Sequence, residues 1–400
     1  MKQISPQHLV VTLLIFVVSG ALAVYVFWPI PTPARFRQQA RDDFETRRWV
    51  QAEANLDQLA SSGSLTPDDW MLRGLVAAAR TLDDTALDYL AHVPDNHPMA
   101  PTARLKAGQI ELRRDRVRTA ESYFLKALAL DPGLIQPHRE LIYVYGMQLR
   151  RFEIDAHFRA LSRLTPLTYQ DAFLWGLTRT TDWQIEEIIA TLRRFVAADP
   201  NDRASRLALA ENLVRLGNVD EFNRVVAPLP ADDPNVLALR VELALNKGNL
   251  TTAETFLKQG PTDDPGLARY RGDLALRQRD WSSAARNFRI ALNANPDDRK
   301  ALFGLGSALR GQGKPDEGEP VLNRARDLER LETLLKQAST SRAHTDPKLP
   351  IAIGAAYETL GRHPQAVTWY QLALKHDPFQ PEAQRALHRL ASQGPTHNAP

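Results

Sequence analysis

Apolar side chains along most of this chain recur every three to four residues, over stretches of about twelve residues. Each stretch breaks at a glycine or a charged turn, and a second stretch with the same spacing follows it. A spacing of about 3.6 residues places the apolar side chains on one face of a helix. The pattern therefore predicts antiparallel pairs of helices, joined by short turns and repeated many times.

Prolines mark the period of this repetition. Successive members of one proline series are separated by 34, 34, 34, 34, 31 and 31 residues, and several of them follow Asp or Asn directly. The series consists of Pro98, Pro132, Pro166, Pro200, Pro234, Pro265 and Pro296. Because proline does not continue a helix, the series indicates where one pair ends and the next begins.

Small and large residues keep fixed places within each period. Counted from Pro101, the residues Gly108, Ala120, Phe124 and Ala127 occupy positions 8, 20, 24 and 27. Small residues at positions 8 and 20 let the two helices of a pair approach closely, and the large residue at position 24 fills the seam to the next pair. Because no pair buries its apolar face alone, neighbouring pairs must stack around one continuous core.

These columns resemble the tetratricopeptide repeat, whose pattern W-x2-L-G-x2-Y…A-x3-F…P has a period of about 34 residues. Trp70, Gly74, Ala86, Leu90 and Pro98 carry positions 4, 8, 20, 24 and 32 of one frame. The resemblance covers most of the chain, and it implies an all-α fold: a right-handed superhelical solenoid of about ten antiparallel helix pairs. The predicted units are 33–66, 67–100, 101–134, 135–168, 169–202, 203–233, 234–264, 265–298, 299–332 and 347–380.

The ninth unit departs from the pattern. It has Arg330 where proline is expected, and apolar residues from Val321 to Leu335 continue one helical stripe. We therefore expect a long second helix that ends near Lys336. The remaining predicted segments are a helix extension and polar loop (333–346), a cap helix (381–392) and a disordered tail (393–400).

The N-terminal segment does not follow the repeat pattern. Its residues 9–28 are largely apolar and carry no charge. A helix of this length spans about 30 Å, the thickness of the hydrocarbon core of a bilayer. A short flank (1–8) precedes it and a proline-rich linker (29–32) follows it. The sequence therefore predicts one transmembrane helix. The alternative is a cleaved signal peptide, because Ala21-Leu22-Ala23 matches a small-residue cleavage site.

These features predict a single-pass membrane protein. We expect the soluble body to lie outside the cytoplasm, in the periplasm, because the chain opens like a secretory signal anchor. Basic residues flank the apolar stretch on both sides, with Lys2 before it and Arg35 and Arg37 after it. Counted alone, these charges favour the opposite orientation, with a cytoplasmic body.

The amino-acid composition argues against several classes of protein function. The chain has 50 Lys and Arg against 47 Asp and Glu, spread along its length, so no basic cluster indicates nucleic-acid binding. The absence of cysteine excludes disulfides, thiol nucleophiles and zinc ribbons. The ten histidines form no metal-ligand motif. We therefore expect a protein that is not an enzyme and that uses no cofactor, metal or small-molecule substrate.

The resemblance implies that the first helix of each pair lines a concave groove and that positions 5 and 9 face that groove. In units two to five these positions form an apolar and aromatic strip with one arginine, suited to a partner helix or an extended peptide. The strip consists of Met71, Leu75, Leu105, Gln109, Arg139, Tyr143, Phe173 and Leu177. The alternative is that several of these residues close the core between adjacent helices.

In units six to eight the residues at position 9 are acidic instead of apolar. They are Glu211, Glu242 and Asp273. Such an acidic ladder could receive a basic segment of a partner. Arg215 and Arg277 lie four residues after two of these acids. Ordinary surface pairs between residues i and i+4 therefore explain the pattern at least as well.

Family members that clamp a C-terminal carboxylate carry lysine at position 5 and asparagine at position 9. Neither residue stands at its position in any unit here, and Arg139 and Arg269 are the nearest approximations at position 5. We therefore expect a membrane-anchored scaffold that binds partner polypeptides in the groove, in the assembly of an envelope or secretion complex. The alternatives are a periplasmic assembly chaperone that holds clients transiently, and a non-catalytic subunit of an enzyme complex such as a glycosyltransferase system.

Overall fold

The computed structural model of the chain describes residues 32–63, 65–177, 185–340, 346 and 348–392. Every regular element in these residues is an α-helix, so the predicted all-α fold is confirmed for the described part of the chain. The chain divides into two compact bodies, named here the N-terminal body (residues 1–110) and the C-terminal body (residues 111–400).

The N-terminal body contains two helix pairs and most of a further helix. Its helices are α1 (Pro33–Glu45), α2 (Trp49–Ser61), α3 (Pro67–Ala79), α4 (Asp83–Ala91) and α5 (Ala100–Arg113), the last of which ends in the C-terminal body. Helix α1 contacts α2, α3 contacts α4, and α2 packs on α3. Leu56, Leu59 and Val76 are among the buried residues that join these helices in one apolar core.

The C-terminal body continues the series of pairs. Its helices are α6 (Val117–Leu130), α7 (Ile135–Met147), α8 (Arg151–Leu164), α9 (Tyr169–Leu177), α10 (Ile185–Ala198), α11 (Arg203–Arg215), α12 (Val219–Val226), α13 (Pro234–Asn246), α14 (Leu250–Gln259), α15 (Pro265–Arg277), α16 (Trp281–Ala294), α17 (Arg299–Gly311), α18 (Pro315–Ala338), α19 (Leu349–Thr359), α20 (His363–His376) and α21 (Pro381–Ser392). The paired helices are α7 with α8, α11 with α12, α13 with α14, α15 with α16, α17 with α18 and α19 with α20. First helices also contact each other, α11 with α13, α13 with α15 and α15 with α17.

The turn inside each pair has a fixed backbone conformation. In nine of the ten predicted units the fifteenth residue has a positive φ, between 57° and 77°. These residues are Arg47, Thr81, Asp115, Leu149, Gly217, Gly248, Arg279, Gly313 and Gly361. Residue 183, at the same position of the remaining unit, lies outside the described residues. A left-handed residue ends the first helix and reverses the chain, which is why glycine recurs at this position.

Phe288 shows how one pair stacks on the next. Its side chain is fully buried, and its ring lies against Gly272 of the same unit and Gly304 of the following unit. A Cβ atom added to Gly272 would lie only 2.8 Å from the ring. The missing side chains at both glycines therefore make room for the large residue at position 24, as close packing of the seam requires.

Helix α9 departs from this order. Its described contacts are with α8, α18 and α20, whereas α10 contacts α7 and α11. Phe173 of α9 is buried in the core that also contains Leu335, Tyr357 and Trp369. The two helices predicted to form the hairpin 169–202 thus have different neighbours, and α9 fills a place among the last repeats of the C-terminal body.

Asp155 in α8 joins α9 to this distant part of the body. Its Oδ1 accepts hydrogen bonds from Trp175 Nε1 at 2.8 Å and from Gln365 Nε2 at 3.0 Å. Arg159 Nε donates to Oδ2 at 2.6 Å. One carboxylate therefore connects α8, α9 and α20, and these hydrogen bonds satisfy polar groups that partial burial would otherwise leave without partners.

Helix α18 is unusually long. It has 24 residues, against 14 in α16, the corresponding second helix of the preceding unit. It ends at Ala338, two residues beyond the end expected from the apolar stripe. Its last residues, among them Leu331 and Leu335, pack in the same core as α19 and α20. Helix α19 therefore packs against the second half of α18 in this core.

The predicted placement of the protein in a membrane is wrong. The expected transmembrane helix at residues 9–28 lies outside the described residues. Among the helices that the structure does describe, none combines the length and the apolar character needed to cross a bilayer. This finding contradicts the predicted placement as a single-pass membrane protein with an extracytoplasmic body.

The stacking at Phe288 yields a prediction about two glycines in helices. Gly304→Ala places a methyl group against the buried ring of Phe288, so we expect the free energy of unfolding to fall by about 1–3 kcal/mol. Gly146→Ala is the matched control, because a Cβ atom there meets no neighbouring atom and alanine favours a helix by about 1 kcal/mol. Urea denaturation followed by circular dichroism measures both. Equal effects of the two substitutions would contradict this account of the seam.

Two histidines face each other between α7 and α8. The Nδ1 atoms of His138 and His157 lie 2.8 Å apart, so one nitrogen donates and the other accepts. The ring of Tyr145 stacks on His157, with the ring centroids 5.5 Å apart. Burial, together with the neighbouring His138 and Arg150, lowers the pKa of His157 to about 4. Burial also lowers the pKa of His138. Both rings are therefore neutral in the folded protein at pH 7.

Acidification should consequently destabilise the C-terminal body. Below a pH of about 6.5 the unfolded chain binds a proton at His157 that the folded chain does not bind until about pH 4. We expect the free energy of unfolding to fall by about 1 kcal/mol between pH 7 and pH 5, allowing for solvent screening of a partly exposed group. In His157→Phe this pH dependence should be weaker, whereas the exposed His388→Gln should keep it. An unchanged slope in His157→Phe would refute the role of this pair.

Candidate partner-binding face

Three carboxylates of the C-terminal body share one register. Glu211, Glu242 and Asp273 each lie nine residues after an Asp that caps the start of α11, α13 or α15. The capping residues are Asp202, Asp233 and Asp264, whose side chains accept backbone N–H bonds. Because these three first helices contact one another in order, equal register places the carboxylates in a row. This row is named the carboxylate strip.

Neighbouring polar groups hold the strip in place. Glu242 Oε2 accepts a hydrogen bond of 2.8 Å from Tyr270 Oη, and burial raises the pKa of Tyr270, so the phenol stays a donor. Arg151 of α8 approaches Glu211, with 3.8 Å between Nη2 and Oε1. Arg269 lies with its guanidinium 4.2 Å from the ring centroid of Tyr270. Its Nε lies 3.8 Å from Asp298 Oδ2. Two arginines therefore lie beside the strip, Arg151 at Glu211 and Arg269 at Tyr270.

The carboxylates of the strip are partly desolvated and close to one another. Burial raises the pKa of Glu211, and the nearby charge of Glu242 raises it further, while Arg151 opposes the shift. Burial likewise raises the pKa of Asp273, and Asp298 adds to this against the attraction of Arg269. A raised pKa means that the negative form is disfavoured in this environment. A cation brought from outside would therefore stabilise the charged strip.

The predicted apolar strip is divided between the two bodies. In the N-terminal body, Met71 and Leu105 are buried, 3% and 9% exposed, so they serve the core between adjacent helices. Leu75 is partly exposed, and so is Gln109, whose Oε1 accepts a hydrogen bond of 3.1 Å from Lys106 Nζ. The alternative interpretation of these residues as core closure therefore describes Met71 and Leu105.

In the C-terminal body, Arg139 donates to both oxygens of Asp171, at 2.7 and 3.1 Å. Burial alone would raise the pKa of Asp171, but the hydrogen bonds from Arg139 and Thr168 lower it below its usual value. Tyr143 keeps 43% of its surface exposed, whereas Phe173 is buried in the core around α18 and α20. The side chain of Leu177 lies outside the described residues. The alternative interpretation as core closure therefore also describes Phe173.

Sequence reasoning missed several residues around the strip. Arg151 and Asp298 lie outside the position 5 and 9 columns, and no local signal in the sequence connects them to Glu211 or Arg269. Phe303 is different, because it stands at position 5 of the ninth unit and is 62% exposed. Extending the same column by one unit would have found it. No cluster of three or more metal-ligating side chains occurs in the part of the chain that the structure describes.

Comparisons with known proteins agree with a repeat protein. A family model for the tetratricopeptide repeat matches residues 77–135 and 271–344, less than half of the chain. No curated protein matches the chain. The family match supports the assignment to tetratricopeptide repeats, and proteins of this kind generally mediate protein–protein interactions and scaffolding.

Solved structures resemble the chain only distantly. One is a tetratricopeptide repeat protein from Parabacteroides merdae, with 15% identity over 61% of this chain and 98% of that chain and a TM-score of 0.32. Another is the Cut9-Hcn1 hetero-tetramer of the APC/C, with 17% identity over 90% of this chain and 76% of that chain and a TM-score of 0.35. Because both TM-scores lie below 0.5, these likenesses carry no argument about function.

Proposed function

We propose that this chain is a protein-interaction scaffold and that the carboxylate strip binds a basic segment of a partner polypeptide. The observation that supports this most directly is the equal register of Glu211, Glu242 and Asp273 on three consecutive first helices. Carboxylates kept near one another in a partly desolvated place are destabilised, and a cationic partner relieves that cost. Arg151 lies beside Glu211 and the charge of Arg269 acts on Asp273, so a cationic partner would add to the positive charges already present at the two ends of the strip.

The spacing of the strip specifies the form of the partner. Packed helices lie about 8–10 Å apart, so consecutive carboxylates of the strip should have about that separation. A polyproline II segment advances about 9 Å in three residues and returns to the same face. A partner with Lys or Arg at every third residue would therefore present one cation to each carboxylate. This pattern also distinguishes specific binding from general attraction between opposite charges.

The experiment compares two synthetic peptides of identical composition. One carries lysine at every third residue of an alanine–proline background, and the other has the same lysines in one cluster. We expect the periodic peptide to bind at least about tenfold more tightly, and Glu211→Gln, Glu242→Gln and Asp273→Asn together to remove that preference. Fluorescence anisotropy at low salt measures the affinities. The amide at position 242 keeps an acceptor for Tyr270, so we expect the triple variant to fold, and circular dichroism checks this.

The matched control neutralises Asp220, Asp232 and Asp263, which are exposed residues of units 203–233 and 234–264. This triple variant has the same net charge as the strip variant, and it should bind the periodic peptide like the parent chain. Equal losses in both variants, or equal binding of the two peptides, would refute the strip as a specific site. Binding should also weaken as the pH falls through the raised pKa values of Glu211 and Asp273.

A further inference from the structure

Helix α17 continues the row of first helices beyond the carboxylate strip. Asp298 caps α17 by accepting a hydrogen bond from a backbone N–H three residues later, as Asp264 caps α15. Helices α15 and α17 contact each other, and Arg269 Nε of α15 lies 3.8 Å from Asp298 Oδ2. The two helices therefore begin side by side at the same point of their repeats. Counted from the cap, Ser307 has in α17 the position that Asp273 has in α15.

One face of α17 remains open to solvent. Phe303 is 62% exposed and Ser307, one helical turn later, is partly exposed, whereas the other residues from 301 to 309 are buried. Arg269 and Asp273, at the same two positions of α15, are also partly exposed. Because the two helices are in equal register, their open faces adjoin. The row of strip positions therefore continues at α17 with a neutral hydroxyl beside a large apolar ring.

The surface around Phe303 does not favour a further cation. Helix α17 contains no acidic residue. Burial raises the pKa of Asp273, and the positive charges of Arg269 and of Lys300 in the first turn of α17 oppose this shift. The arginines beside Phe303 already have carboxylate partners on α18, Arg299 with Glu332 and Arg310 with Glu319. An apolar residue of a partner therefore gains more from contact with the exposed ring than a charged residue does.

We infer that Phe303 is the apolar anchor of the partner-binding face, so that the segment bound to the carboxylate strip carries a large apolar residue one step beyond its last cation. This inference rests on the proposed function of the strip. Because packed helices lie about 8–10 Å apart, one step corresponds to about three residues of polyproline II. The partner pattern is therefore three cations and one apolar residue, each three positions from the next. The apolar end lies at α17, and Arg151 lies beside Glu211 at the opposite end.

The test compares three peptides with lysine at every third residue of an alanine–proline background. They differ only at the fourth step, which is alanine, lysine or tryptophan, and each is made with that step before the first lysine or after the last. Fluorescence anisotropy at low salt measures binding to the full chain. In one of the two orders we expect tryptophan to bind at least about tenfold more tightly than alanine, and more tightly than lysine despite its lower charge. Equal binding of the alanine and tryptophan peptides in both orders would overturn the inference.

Two exposed phenylalanines locate the anchor. Phe303→Ala should abolish the gain from tryptophan and leave binding of the alanine peptide unchanged, whereas Phe303→Leu should keep part of the gain. Phe152→Ala is the matched control, because Phe152 is also 62% exposed but follows Arg151 in α8, at the other end of the strip. It should keep the full gain. A gain that survives in Phe303→Ala, or that is lost in Phe152→Ala, would contradict the assignment.

The alanine peptide separates this inference from the proposed function, because it probes the carboxylate strip alone. If it binds no more tightly than a peptide with the same lysines in one cluster, the strip is refuted and the anchor with it. If it binds more tightly than the clustered peptide but tryptophan adds nothing, the strip is supported and only the anchor is refuted.

Discussion

The apolar face of each helix pair can be buried only by the next pair, and the rest of the structure depends on this constraint. Phe288 shows its physical form, because its buried ring fills the space between Gly272 and Gly304 on two successive first helices. Close packing of this kind leaves little freedom to slide one pair along the next. The register of the first helices is therefore set by the core, before any contact with a partner.

Because the register of the first helices is fixed, residues at the same position of successive units lie next to one another on the surface. The aspartate caps begin α11, α13 and α15 at the same point of each unit, so Glu211, Glu242 and Asp273 come to lie in a row. Partial burial raises the pKa values of Glu211 and Asp273, so holding them as anions has a cost in free energy. A bound cation stabilises these anions and so lowers this cost in free energy. The site therefore favours a cationic ligand.

The sequence alone predicts the local features of this fold, because their causes are local. The period, the glycines beside Phe288 and the break at the fifteenth residue follow from patterns within one or two units. The placement of α9 does not, because Phe173 fits its column but packs against Leu335 and Trp369 more than 150 residues later. The strip carboxylates were identified from their column, whereas Arg151 reaches Glu211 from a helix outside that column. Such pairs depend on contacts between helices that are far apart in the sequence, and the spacing of residues along the chain does not indicate these contacts.

The most direct test of the central claim locates a bound lysine-periodic peptide on the C-terminal body. A photoreactive group is placed between two lysines of the peptide, and the crosslinked residues of the full chain are identified by mass spectrometry. We expect crosslinks in the first helices α11, α13 and α15, near the three carboxylates. Crosslinks confined to the second helices α12, α14 and α16, or to the N-terminal body, would contradict it.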